Sequence, residues 1–273
     1  MAEPERPERL DVRKTYKLFV GGQFPRSESG RSFEAQGVWM AQASRKDLRD
    51  AVKAARGALA GWRGRTAYNR GQILYRVAEI LEGRRSQFVD EGAAPAEVDA
   101  AVDRWIWYAG WTDKLHHVFG TVNPVAGPYF DFTMPEPVGV VGLVAPDEPP
   151  LLGLVSRLAP VLAAANTAVV VASEARPRAA VTLAEVLAVS DVPAGVVNIL
   201  TGRKVELLPW LAGHLDVDSL DLTGAPDDLV AAMEESAAEG VTRTVRAGDP
   251  LAESPYEVVA FMEMKTVWHP IGT

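Results

Sequence analysis

Apolar residues along this chain keep two rhythms, a helical one in the first half and a strand–helix alternation in the second. Ahead of both, KLFVGGQF (17–24) sets two short β-prone runs around Gly21-Gly22, which predicts a hairpin. Leu48, Val52, Ala55, Leu59 and Trp62 then recur at helical spacing. Ser44, with Asp47 three residues on, forms an approximate capping box that opens this helix. Ile73, Leu74, Val77, Ile80 and Leu81 predict a second helix. Val98, Val102, Trp105, Ile106 and Ala109 predict a third, over about 96–118. These stripes read as core-packing faces.

From Val138 the rhythm changes. VGVVGLVA (138–145) is a continuous apolar run of strand length, the mark of a parallel strand buried on both faces. A helix carrying Leu151, Leu154, Val155, Leu158 and Leu162 follows. Strands are then predicted at 168–172, 196–200, 217–224 and 241–246, with helices over 177–189, about 204–213 and about 226–238. Such alternation implies right-handed crossovers in a doubly wound sheet. The expected fold class is α/β, a Rossmann-like parallel sheet behind an N-terminal helical segment. YEVVAFMEMKTVW (256–268) closes the pattern as one long β-prone run, and a terminal strand of this kind needs a partner sheet in this chain or another.

Composition narrows the function classes. The 273 residues carry a formal charge of −8, and the 28 Lys and Arg are scattered, which argues against nucleic acid or an anionic membrane as partner. The apolar stretch from Val138 to Val171 is interrupted by Asp147, Glu148, several prolines and Arg157, so no membrane span is expected. MAEPERPERLDVRK (1–14) reads as a flexible lead without the apolar centre of a signal peptide. There is no cysteine, which removes disulfides, thiolate metal sites and cysteine nucleophiles, and fits a cytoplasmic location. His116, His117, His214 and His269 are the acid–base candidates. His116 and His117 are adjacent and point to different faces of a helix, so no metal site is expected.

EVDAAVDRWIWYAGW (97–111), EPVGVVGLVAP (136–146), LAPVLAAANTAVVVASE (158–174), VPAGVVNILTG (192–202) and LTG (222–224) together resemble the aldehyde dehydrogenase superfamily, in family order and spacing. The resemblance runs from about Tyr16 to Thr244. AFMEMKTVW (260–268) resembles the superfamily's last strand, which serves subunit association. In full-length members a catalytic domain of about two hundred residues precedes that strand; here only a short stretch near GDPLAESP (248–255) intervenes. The resemblance therefore implies an internal loss of the catalytic domain, as in the degenerate second modules of family-16-type members. It implies a flexible lead (1–14), a hairpin-and-helix part (15–118), an oligomerisation segment (119–136), a Rossmann-like domain (137–250) and a C-terminal oligomerisation strand (255–273).

Each part of the family's chemistry can be sought here. The cysteine nucleophile is missing. The oxyanion donor of the family's Thr-Pro-Trp-Asn-type turn is matched by Glu148 in Ala145-Pro146-Asp147-Glu148, and an ionised carboxylate donates no hydrogen bond. The general base of the Glu-Leu-Gly-Gly-type motif is matched by Arg246, which cannot act as a base. The ribose-binding Lys-Pro-Ser-Glu motif reads Val171-Ala172-Ser173-Glu174, with its lysine gone. The diphosphate turn reads Thr223-Gly224-Ala225-Pro226-Asp227-Asp228-Leu229, with acids at the helix start where an anion would sit. Pro146, Ser173, Glu174, Thr223 and Gly224 remain as candidate cofactor-binding residues for NAD or NADP, although no bound cofactor is expected. The expectation is a non-catalytic subunit that assembles with an active aldehyde dehydrogenase or with itself, through 119–136 and 256–268. The alternatives are a weak nucleotide-binding module and an NAD(P)-binding component that completes a partner's active site.

Overall fold

The computed structural model describes residues 14–272. The proposed lead lies outside them except for Lys14, whose ammonium sits 2.8 Å from Glu185. At Gly21-Gly22, with φ of 59° and 76°, Val20 and Gln23 pair across the predicted tight turn. The first arm of this turn does more than close a hairpin, because Phe19 pairs with Ile199 at the edge of the main sheet. A second hairpin follows, β1 (Ser32–Ala35) and β2 (Val38–Ala41), turning at Gln36-Gly37 where both φ angles are positive. Its strands are four residues each and the turn lacks the Asn-Gly or Asp-Gly signal, so the sequence pattern did not reveal it.

α1 (Arg45–Arg63) opens with the complete Ser44/Asp47 capping box and is followed by α2 (Ala67–Gly83), α3 (Arg85–Asp90) and α4 (Pro95–Ala109). The third predicted helix is a correction, because it stops at Gly110 and resumes only as α5 (Leu115–Phe119). The Thr112 hydroxyl donates to Ala109 O at 3.0 Å, a local bond that competes with helix continuation. β3 (Thr121–Asn123) and β4 (Tyr129–Pro137) form an antiparallel arm.

The main sheet is built from β5 (Val140–Val144), α6 (Pro150–Ala163), β6 (Thr167–Val171), α7 (Arg178–Ala188), β7 (Val197–Leu200), α8 (Lys204–Ala212), β8 (Ser219–Asp221), α9 (Asp227–Glu239) and β9 (Arg243–Val245). Its order is β7-β6-β5-β8-β9, all parallel. One face packs on α2, α4, α6 and α7 through residues such as Leu74, Trp105, Leu158 and Leu183. The other packs on α1, α8 and α9 through Leu48, Leu211 and Met233. Both faces of β5 and β6 are thereby sealed, which is why these strands are apolar without alternation.

The terminal β-prone run is the second correction. Pro255–Val259 forms α10, and only Met262–Pro270 forms the strand β10. Ser254 caps this short helix by accepting from Tyr256 N at 3.2 Å, and Pro255 occupies its first position, so cap chemistry overrides the side chains' β preference. β10 pairs along its whole length with β4 of the same chain, from Met262↔Pro137 to Pro270↔Tyr129. The result is an antiparallel sheet of order β10-β4-β3.

Candidate functional site

The strand order reverses between β5 and β8, and their carboxyl ends frame the crevice where ligands of doubly wound sheets bind. Four exits converge there: Ala145-Pro146-Asp147 from β5, Ser173-Glu174 from β6, Lys204 at the start of α8, and Thr223-Gly224 from β8. Gly224 permits the closest approach. A Cβ at that position would lie 2.2 Å from the Ala145 carbonyl carbon and 2.4 Å from Pro146 N. The Gly224 N–H donates to Val144 O at 3.1 Å, so the two strand exits are pressed together.

Lys204 fills the space that remains. It is 2% exposed, and its ammonium donates to Gly224 O at 2.8 Å and Ala145 O at 3.1 Å. It also lies 3.1 Å from Asp147 Oδ1. That carboxylate accepts from Ser173 Oγ at 2.8 Å and from Glu174 N at 3.1 Å. Burial works to raise the Asp147 carboxyl, but the Lys204 charge and these donors outweigh it and hold the group below the usual carboxylate range. Glu174 is committed as well, accepting from Arg203 at 2.6 Å and from Lys204 N at 2.9 Å. The Thr223 hydroxyl donates to Asp221 at 2.5 Å and accepts from Ala247 N at 2.9 Å.

All five residues singled out from the sequence thus gather at one crevice. Ser173, Glu174 and Thr223 spend their polar groups on protein partners, while Pro146 and Gly224 shape the backbone. Lys204 was missed. Its one signal is a lysine in the first turn of a helix, unfavourable to the dipole unless other acceptors compensate. The residues present do not fit the dinucleotide that the fold implies. The crevice surrounds an ammonium with two carbonyl oxygens and a carboxylate, and Asp227 and Asp228 occupy the first turn of α9. A diphosphate would meet acceptors and negative charge where it needs donors.

The positions that the resemblance matches to the oxyanion donor and the general base, and the histidines, have structural partners. Glu148 is exposed and pairs with Arg176 at 2.8 Å, and Arg246 pairs with Asp227. His116 meets Pro135 O at 3.0 Å, and His214 Nδ1 accepts from Asp216 N at 3.2 Å. Among the described residues no group of three or more His, Asp or Glu is placed to hold a metal.

A second polar cluster lies beneath α10. Arg157 is fully buried and pairs with Asp221 at 2.8 Å and with Glu257. Arg104 reaches Ser156 Oγ at 2.7 Å, Glu253 at 3.1 Å and Ala252 O at 3.2 Å. The Tyr108 hydroxyl donates to Ser254 O at 3.4 Å, and burial pushes it up to about 12. These bonds seat residues 252–257 on α4 and α6.

The aldehyde dehydrogenase family model matches residues 34–246. Retinal dehydrogenase 2 of Homo sapiens is 32% identical over 238 residues, covering 80% of this chain and 45% of that protein. The putative aldehyde dehydrogenase DhaS of Bacillus subtilis (strain 168) is 32% identical over 232 residues, covering 78% and 46%. Among solved structures, the NAD+ complex of an aldehyde dehydrogenase from Bacillus cereus superposes with a TM-score of 0.78 at 26% identity, over 85% of this chain and 50% of that one. HpcC from Thermus thermophilus gives 0.80 at 28% identity, over 85% and 48%. The chain spans under half the length of the curated relatives it matches. With the sheet order, the crevice and the family match in agreement, this chain belongs to the aldehyde dehydrogenase family.

Proposed function

We propose that this chain is a non-catalytic aldehyde dehydrogenase-family subunit that works by association, with a second copy of itself or with a full-length family member. The observation that carries this reading is the β10-β4-β3 sheet, which stands with both faces partly open. Val122, Phe130, Met134 and Val267 are exposed on one face, and Tyr129, Met264 and Trp268 on the other. A three-stranded sheet needs an apolar face covered to be stable, and exposed apolar patches of this kind mark interaction surfaces. The edge of β10 away from β4 is also free to accept a further strand among the described residues.

The chemistry supports the same reading. The chain has no cysteine. Its oxyanion position holds a carboxylate, its base position an arginine, and residues 246–254 alone separate β9 from α10. Losing one oxyanion donor costs on the order of 10²–10³ in rate, before the missing nucleophile is considered. A cytosolic setting rests on the absence of thiols; no helix among the described residues is long and apolar enough to cross a membrane. Steady-state assays of the purified chain with NAD or NADP and a panel of aliphatic and aromatic aldehydes should show no turnover above buffer. Turnover that scales with protein concentration would refute the non-catalytic half of the proposal.

A further inference from the structure

The β5/β8 crevice has exchanged its polarity. A ligand crevice at a switch point ordinarily offers backbone N–H groups and a helix N-terminus to an anion. Here the groups aimed into it are acceptors: Ala145 O, Gly224 O and Asp147 Oδ1, all within 3.1 Å of one ammonium nitrogen. The lysine carrying that nitrogen is 2% exposed and starts α8, so the charge enters from the side of the sheet opposite α6. Asp147 is oriented for this contact by the Ser173 hydroxyl and the Glu174 N–H. Ser173 is itself fixed by accepting from Arg176 N at 2.9 Å. Glu174 folds back onto the Lys204 backbone and Arg203, which anchors the lysine's main chain as well as its head.

We infer that the crevice is a primary-ammonium cradle, with Lys204 as its built-in tethered ligand, and that the fold is closed by this internal cation rather than by a dinucleotide. Three oxygens around an N–H₃⁺ match the three donors of a primary amine. With the side chain removed, Ala145 O and Gly224 O lose their ammonium donor, which costs stability, while the exposed Asp147 carboxylate keeps its bonds from Ser173 and Glu174. The space so vacated is bordered by the same three oxygens, which a small free alkylammonium ion can satisfy. This inference concerns the crevice alone and stands whether or not the chain assembles.

Thermal unfolding of the full chain tests it, using wild type and Lys204→Ala with ethylammonium chloride, tetramethylammonium chloride or NAD. Lys204→Ala should melt about 5 °C below wild type, as expected for depriving two carbonyl acceptors of their donor in a domain of this size. Ethylammonium should restore part of that loss in a concentration-dependent way. Tetramethylammonium, which has no N–H donor and serves as the salt control, should not. Wild type should respond equally to both salts, and NAD should stabilise neither protein. If Lys204→Ala does not fold, Lys204→Met keeps the stem packed without the charge and should melt well below wild type, unrescued by the amine. The inference is overturned if the folded variant melts with wild type, if the two salts act alike on Lys204→Ala, or if NAD raises either melting temperature.

Discussion

Single residues decide what the crevice accepts. Asp147 shows how this registers in stability. Its folded pKa lies below that of an unfolded aspartate, about 3.9, so on acidification the unfolded chain takes up the proton first. The stabilisation is therefore complete above that value and is lost as pH falls through the lower, folded pKa. Asp147→Asn should lack this component, so the stability gap between wild type and variant should shrink as urea titrations move from about pH 5 toward pH 2.5. A gap that stays constant across that window would show that Asp147 gains nothing from Lys204 and Ser173. The five crevice residues were singled out through the resemblance of their short motifs to the family's, and the fold brings those motifs together at the ends of β5, β6 and β8. Lys204 was not singled out, since its significance depends on three acceptors brought in from β5 and β8, far away along the chain.

Elements were legible where periodicity ran long and were misread where local chemistry broke it. α1, α2 and the buried strands β5 and β6 follow from apolar spacing alone. The interruption after Gly110 and the Ser254-Pro255 helix start are local hydrogen-bonding and capping effects that a hydrophobic pattern does not register. α10 is short and has little helical stability of its own, so its position depends on the Arg157–Glu257 and Arg104–Glu253 pairs beneath it. Glu257→Gln keeps the shape but removes a charge from a fully buried guanidinium, and should cost about 1–3 kcal/mol. Hydrogen exchange should then rise first across 252–262 and spread into β10, while β5 and β6 keep their protection. Uniform loosening of the chain would mean that α10 is not an independently docked element.

At the scale of the molecule, the described residues form a doubly wound domain and an antiparallel sheet, connected through α5 to β3, through β4 to β5 and again through α10 to β10. The α/β class was legible because strand and helix alternate with strands too apolar for anything but a two-sided burial. That β10 would close on β4 of its own chain was not, because the terminal run carries no mark of which sheet it joins. This closure leaves the sheet's faces and outer edge as the surface through which association is proposed. Phe132 and Val267 lie directly opposite one another on it. Replacing both with threonine keeps β preference while removing apolar contact. The most direct measurement is native mass spectrometry of the tagged full chain purified from its own cells, beside the Phe132→Thr/Val267→Thr variant. The account predicts wild type in a complex heavier than the 29.4 kDa single chain, and a folded variant that runs as that single chain. A wild-type chain found only as a lone 29.4 kDa monomer would contradict it.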